Sequence, residues 1–131
     1  MRYARTIVWA GLLFAFLGCG SSSDWGTATG SAFLDGQPLE KGTVTLEPVD
    51  GGATAYATIT ANGTFRVMTG AQEGLKVGQY QVTIVDQTMP ESGSTQVAKL
   101  LTPTKYASSA TSELLATIKT GRNALEFHLK K

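Results

Sequence analysis

Apolar and polar residues alternate with a period of two along much of the chain. The segment Gln79–Val85 shows this best, since Tyr80, Val82 and Ile84 are separated by polar residues. Successive side chains of a strand point to opposite faces, so this alternation predicts strands with one buried face. No stretch places apolar residues at helical spacing over three turns. The pattern predicts an all-β chain with seven strands, over residues 27–34, 43–47, 53–60, 64–68, 79–85, 113–119 and 124–130.

Turn signals separate these strands at intervals of roughly 8 to 12 residues, which is typical of a β-sandwich or a barrel. Asp35–Pro38 supplies one turn, and residues 120–123 supply the last one. Asn62-Gly63 is the strongest local signal. It predicts a two-residue hairpin turn with positive φ at both positions and residues 64–68 as the returning strand.

Residues 86–112 form a long stretch without clear periodicity. Loops of this length are uncommon inside a compact domain. Gln96–Leu101 could add a short edge strand, whereas Pro90 and Pro103 limit regular continuation. We expect variation and binding to concentrate in this crossover, because loops on a rigid scaffold commonly carry function.

An apolar run at residues 7–17 follows Arg2 and Arg5 and is followed by Gly18-Cys19. A membrane-spanning helix needs about 20 apolar residues, so this run is too short to span. The order of charge, apolar run and small residue is that of an export signal. The whole layout resembles a bacterial lipoprotein signal peptide with its lipobox. An ordinary secretory signal with an incidental cysteine is the alternative.

The lipoprotein resemblance implies that residues 1–18 are removed and that the Cys19 thiol carries a diacylglycerol. Acylation of the new amino group would add a further chain, and several chains make the anchoring stable. Phe16 and Leu17 depart from the preferred lipobox residues. Gly20 after the cysteine favours the outer membrane, facing the periplasm, over retention at the inner membrane. The expected partner is therefore the lipid membrane, through acylated Cys19, in a bacterial cell envelope.

Composition adds limits to this interpretation. Cys19 is the only cysteine of the 131 residues, so the chain has no intramolecular disulfide. Acidic and basic residues nearly balance, which gives no electrostatic footprint for nucleic acid. Residues 19–26 are predicted to be a lipidated cysteine with a flexible tether, and 27–131 to be one domain. Trp25 could seal the base of the domain or touch the membrane surface, and we favour packing.

Three stretches of the domain carry a family pattern. They are Gly30–Pro48 with its Asp35-Gly36 turn, Asn62–Phe65, and Gly78–Val82. In order and spacing they resemble the transthyretin-like domains, which are also called carboxypeptidase regulatory-like domains. The second half, with Pro103–Tyr106 and Phe127–Leu129, resembles small predicted lipoproteins of the planctomycete type. The resemblance implies a seven-stranded, prealbumin-like (Ig-like) Greek-key β-sandwich at the cell envelope, and it implies no reaction.

The residues offer little for catalysis or metal binding. His128 is the only histidine, and it alternates with Glu126 and Lys130 on the predicted solvent face. Acid–base and nucleophilic mechanisms usually need such a base in a site. One His and one Cys cannot hold zinc or copper, and calcium at Asp50 is a weaker interpretation than a turn. We therefore predict no catalytic residue, no metal and no cofactor.

Binding is the stronger functional hypothesis, and its candidate residues are few. Tyr106, Lys105 and Trp25 are the candidates for contact with a ligand, and Tyr56 is a weaker one. For Tyr106 the alternative is a structural role, with the ring on the sandwich and the hydroxyl holding the crossover. The expected function is a structural, adhesive or accessory role in the envelope, next to an envelope protein or glycan. The alternative is a carbohydrate- or peptide-binding lipoprotein that serves transport or degradation.

Overall fold

A computed structural model describes residues 24–88 and 90–131 of the chain. The predicted leader, Cys19 and the start of the predicted tether lie outside these residues. The described part is an all-β sandwich of two sheets, with one short 3₁₀ turn at Thr104–Ala107. Its strands are β1 (Trp25–Leu34), β2 (Gln37–Pro38), β3 (Thr43–Pro48), β4 (Ala55–Thr58), β5 (Thr64–Arg66), β6 (Met68–Thr69), β7 (Gln72–Glu73), β8 (Leu75–Lys76), β9 (Gly78–Val85), β10 (Leu114–Ile118) and β11 (Gly121–Leu129).

The two sheets differ in how their strands pair. In the first, β1 pairs in parallel with β11 from Gly26↔Gly121 to Leu34↔Leu129. Its other side pairs in turn with β2, β5 and β8, all antiparallel. The second sheet has the order β10-β9-β3-β4-β6-β7 and is antiparallel throughout. No described helix is long and apolar enough to cross a membrane.

The predicted alternation is confirmed in the core between the sheets. Tyr80, Val82 and Ile84 of β9 are all buried. From the facing sheet, the rings of Phe65 and Phe127 stack with centroids 6.0 Å apart. Each predicted strand has a counterpart, and the additional strands are two-residue segments, too short to show an alternation.

The prediction for Asn62-Gly63 is wrong in detail. Only Gly63 has positive φ, at 77°, and Thr60 and Thr64 close the turn through the bond from Thr60 N–H to the Thr64 carbonyl. The loop therefore has three residues and ends on a left-handed glycine, another common hairpin form. The returning strand β5 then leaves β4 and pairs with β1 in the other sheet.

Other boundaries also differ from the sequence prediction. β1 begins at Trp25 rather than Thr27, and β11 begins at Gly121, so the turn before it is Lys119-Thr120 rather than 120–123. The Asn123 side chain fixes this turn, because it accepts from the Lys119 N–H at 3.0 Å and donates to the Lys119 carbonyl at 2.8 Å. The predicted edge strand at 96–101 is reduced to a single bridge between Gln87 and Leu100.

The strand directions give the sandwich two distinct ends. We call the end where β1 begins the base; it holds Trp25, the 49–54 loop, the β8–β9 junction and the Lys119-Thr120 turn. We call the opposite end the far end; it holds the 59–63 turn and the crossover from β9 to β10. The N-terminal chain therefore joins the domain at the base, and the crossover lies at the far end.

Candidate functional site

A cleft of about 380 Å³ opens at the base and contains one of the candidate residues, Trp25. Strand ends from both sheets build it, because β1 supplies Trp25, β3 ends at Pro48, and β9 begins just after Val77. We call it the base cleft. Its principal lining residues are Trp25, Pro48, Lys76, Val77, Gln79 and Tyr80.

The Trp25 indole is held in place by its neighbours. Its Nε1–H donates to the Glu73 carbonyl at 2.9 Å. Gly74, beside it, has φ of 93°, a conformation that glycine adopts without strain. A Cβ at Gly74 would lie 2.7 Å from the indole nitrogen and would collide with the Gly26 carbonyl oxygen. Glycine is therefore required for the close approach that positions Trp25.

The polar groups of the base cleft are largely committed to the domain itself. The Tyr80 hydroxyl donates to the Lys76 carbonyl at 2.6 Å, and burial raises the pKa of this tyrosine. Tyr80 therefore stays protonated as a donor. The Lys76 ammonium lies 3.8 Å from the Asp24 carboxylate, and both side chains are exposed. An exposed pair of this kind is weak, so Lys76 remains available to a ligand or a surface.

Two valines give the rim of the base an apolar character. Val49 and Val77 are 50% and 37% exposed, at the end of β3 and between β8 and β9. Backbone hydrogen bonds hold both residues in place. The Val49 N–H donates to the Gln79 carbonyl, and the Val77 N–H donates to the Asp24 carbonyl. The base thus combines an indole, exposed aliphatic groups and a cation. This combination gives the base an amphipathic surface.

Tyr106 and Lys105 lie at the far end, well away from Trp25. The Tyr106 ring is 4% exposed, and its hydroxyl accepts from the Lys130 N–H at 3.0 Å. Lys105 lies with its ammonium 4.9 Å from the centre of that ring and 3.9 Å from the Glu113 carboxylate. The structure therefore does not bring the three candidates together. A buried ring fastened to the end of β11 offers no stacking surface to a ligand.

The arrangement around His128 is that of a surface pair. Its Nε2 lies 2.8 Å from the Glu126 carboxylate, and the ring stacks on Phe33 with centroids 5.0 Å apart. Both members of the pair are exposed on β11. Within residues 24–88 and 90–131, no three His, Cys, Asp or Glu side chains gather as a metal site would require.

Sequence reasoning gave no special weight to Asp86, which is the one buried carboxylate among the described residues. It opens the crossover and is 7% exposed, and its Oδ1 has no hydrogen-bond partner there. Burial raises the pKa of Asp86, while the positive charge of Lys41 lowers it. The position of Asp86 just after a strand was visible in the sequence. Its burial could not be predicted, because the hydrogen bond from the Asp86 N–H to the Thr102 hydroxyl joins residues that are distant along the chain.

The base cleft also contains residues that the alternation did not single out. Val77, between β8 and β9, and Gly78, the first residue of β9, interrupt the period-two pattern there. A valine next to a glycine at a strand start was the available signal, and it is a weak one.

Comparison with family models, with curated proteins and with solved structures returns no match for this chain. Function is therefore inferred from the residues and the geometry described above. Two regions are relevant to that inference: the base, where the N-terminal chain enters, and the far end, which carries the crossover.

Proposed function

We propose that the protein is a lipid-anchored lipoprotein of the bacterial envelope, in which a transthyretin-like sandwich has a structural, adhesive or accessory role without catalysis. The observation that carries this proposal is the order of segments along the chain. Arginines, a short apolar run and Gly18-Cys19 are followed by a Gly/Ser stretch, and the sandwich begins at Trp25. A lipid anchor is thereby joined to a folded domain by only a few residues.

The start of β1 at the base favours one orientation for a domain anchored in this way. From Cys19 to Asp24 the chain can span at most about 18 Å, given roughly 3.5 Å per residue. The nine residues of β11 add about 30 Å from base to far end, at 3.3 Å each. The base would lie near the bilayer, and the crossover would project into the periplasm. A protein or glycan of the envelope could then meet the far end.

The assignment of a non-catalytic role rests on the surroundings of the only histidine. His128 lies on the exposed face of β11 and is paired with Glu126 rather than with a nucleophile. General acid–base catalysis uses a group positioned against a substrate, usually in a cleft. The base cleft is at the opposite end of β11 from His128.

A glycan- or peptide-binding role is the second candidate, and the base cleft favours it. An indole beside Lys76 and Gln79 could stack on a sugar ring and bond its hydroxyls. Saturable binding of cell-wall fragments by the native protein, lost in Trp25→Ala and retained in Tyr56→Ala, would support this role. Tyr56 is a suitable control, since it is an exposed aromatic residue on β4, outside the cleft.

The anchor is tested by labelling cells with radioactive palmitate and by the mass of the N-terminal peptide. We expect label in the wild type and in Ser22→Ala, no label in Cys19→Ser, and release of Cys19→Ser protein into the soluble fraction. Wild-type protein with a free Cys19 thiol and no label would overturn the lipoprotein proposal.

A further inference from the structure

We propose that the base of the sandwich is a lipid-contacting surface, on which Trp25, Val49 and Val77 rest against the headgroup region of the bilayer. This inference rests on the proposed anchor at Cys19 and deepens it. The tether then does more than limit diffusion, since it holds the base of the sandwich against the membrane to which the protein is anchored.

The position of these residues follows from where the described chain starts. Asp24 and Trp25 stand at the entry to β1, and the Val77 N–H bonds to the Asp24 carbonyl at 2.7 Å. The surface is therefore contiguous with the point of attachment. A stretch from Cys19 to Asp24 of at most about 18 Å leaves the base close to the headgroups. The far end is separated from them by the length of β11.

The chemistry of the base suits an interface between water and hydrocarbon. Tryptophan is enriched at the headgroup level of membranes, because its ring is apolar and its N–H is polar. Val49 and Val77 supply exposed aliphatic groups beside it. The indole is fixed by its bond to the Glu73 carbonyl and by Gly74, so the contact is organised before binding.

Charge at the base complements anionic headgroups. Lys119, in the turn before β11, and Arg122, near the start of β11, are exposed, and no ion pair engages either within the described ranges. Basic residues near an anionic leaflet are attracted to its surface. Asp24, Asp50 and Glu73 are acidic residues of this end, and two of them are already paired, Asp24 with Lys76 and Glu73 with Arg66. The attraction is modest, which suits a surface that an anchor already holds in place.

The test uses the fluorescence of Trp25. Removal of residues 1–18 takes Trp9 away, so Trp25 becomes the only tryptophan of the anchored protein. The acylated protein is placed in phosphatidylcholine vesicles with a minor fraction of phosphatidylglycerol, with and without brominated acyl chains. We expect bromination to reduce Trp25 emission by about a third or more, as for an indole at headgroup level.

Control variants locate the contact. Leu101→Trp in a Trp25→Phe background puts the probe on the crossover at the far end, where Leu101 is exposed, and we expect its emission to be unchanged by bromination. Val77→Asp should reduce the quenching of Trp25 about twofold or more, because it places a charge at the interface. Val97→Asp, on the exposed crossover, should leave that quenching unchanged. Equal quenching of both probes, or none at Trp25, would overturn the proposal.

Two further measurements separate the surface from the anchor. Flotation with vesicles reports the anchor alone, so protein that fails to float contradicts the proposed function. In that case the Cys19 thiol of a Trp9→Phe chain is coupled to a maleimide lipid, and the quenching is measured again. Unquenched Trp25 that responds to cell-wall fragments would assign the base to a glycan and overturn the lipid surface.

Discussion

The two ends of the sandwich are built in opposite ways. At the base, short connections between strands pack closely around Gly26 and Gly74, where a Cβ would collide with backbone carbonyl oxygens. At the far end, one long crossover runs from Asp86 to Glu113 and is attached at a few points. The base therefore offers a defined surface, and the far end offers room for variation.

The crossover has two parts with different attachment. Residues 87–88 and 90–100 form an arm, held by the Gln87↔Leu100 bridge and by the hydrogen bond from the Thr88 N–H to the Lys99 carbonyl at 2.8 Å. Residues 101–112 return along the sandwich, with Thr102, Tyr106 and Ser112 buried. Close packing at the base surrounds Gly26 and Gly74, and within the crossover it is limited to the returning part.

The largest expected loss of stability comes from adding a side chain at the closely packed Gly74 of the base. Gly74→Ala should lower the free energy of unfolding by about 3 kcal/mol. The added Cβ collides with the Gly26 carbonyl oxygen, and the alanine is forced to adopt a positive φ. Urea unfolding of both proteins measures the change. Gly70→Ala is the control: its φ is also positive, at 60°, but nothing lies within 4 Å of the added Cβ. Equal losses in the two variants would mean that the base is not closely packed.

A smaller effect is expected where the returning part of the crossover meets β11. Tyr106→Phe removes the acceptor of the Lys130 N–H and should cost about 1 kcal/mol, or roughly 4–8 °C in Tm. Thermal unfolding followed by circular dichroism provides the measurement. Tyr56→Phe, at an exposed position, should leave Tm nearly unchanged. An unchanged Tm in Tyr106→Phe would show that its hydroxyl does not fasten this end.

The far end should also respond to pH through Asp86. Burial raises the pKa of this carboxyl above its value in the unfolded chain, so the folded state binds the proton more tightly. The ionised form therefore costs stability, and that cost grows as pH rises from the unfolded pKa through the folded one. A one-unit difference corresponds to about 1.4 kcal/mol.

Asp86→Asn removes this titration, so its stability relative to the wild type should improve as pH rises from acid to neutral. Urea unfolding at a series of pH values gives the comparison. Lys41→Met should enlarge the wild-type trend, since the charge of Lys41 lowers the pKa of Asp86. A wild-type and Asp86→Asn difference that stays constant across pH would contradict the burial argument.

Sequence reasoning was effective where side-chain direction alone decides structure. The alternation in Gln79–Val85 gave both a strand and its buried face, because the period of two is a property of the strand itself. It was less effective where partners are distant in sequence. The choice of β1 rather than β4 as partner of β5 depends on residues 29–31, which no local turn signal specifies.

The same limit applies to the candidate residues. Trp25 is recognisable from its position beside the predicted tether, but the cleft around it also needs Pro48 from the end of β3 and the segment from Val77 to Tyr80. Tyr106 was recognised as an aromatic residue in a loop, although its burial depends on β9 and on the end of β11. The local sequence identified residues whose side chains are suited to binding a ligand. Only the pairing of distant strands decides which of them reach the surface.

The smallest expected effect comes from the arm of the crossover. Replacing residues 89–98 with Asn-Gly would join Thr88 and Lys99 by a two-residue turn of the type that favours hairpins. Residues 90–98 are exposed, so the replacement removes no described residue of the core. Loop-closure entropy changes slowly with loop length, and we expect the free energy of unfolding to stay within about 1 kcal/mol of the wild type. Urea unfolding tests this directly. A loss as large as that of Gly74→Ala would mean that the arm supports the fold, and the contrast between a closely packed base and a loosely attached far end would then be wrong.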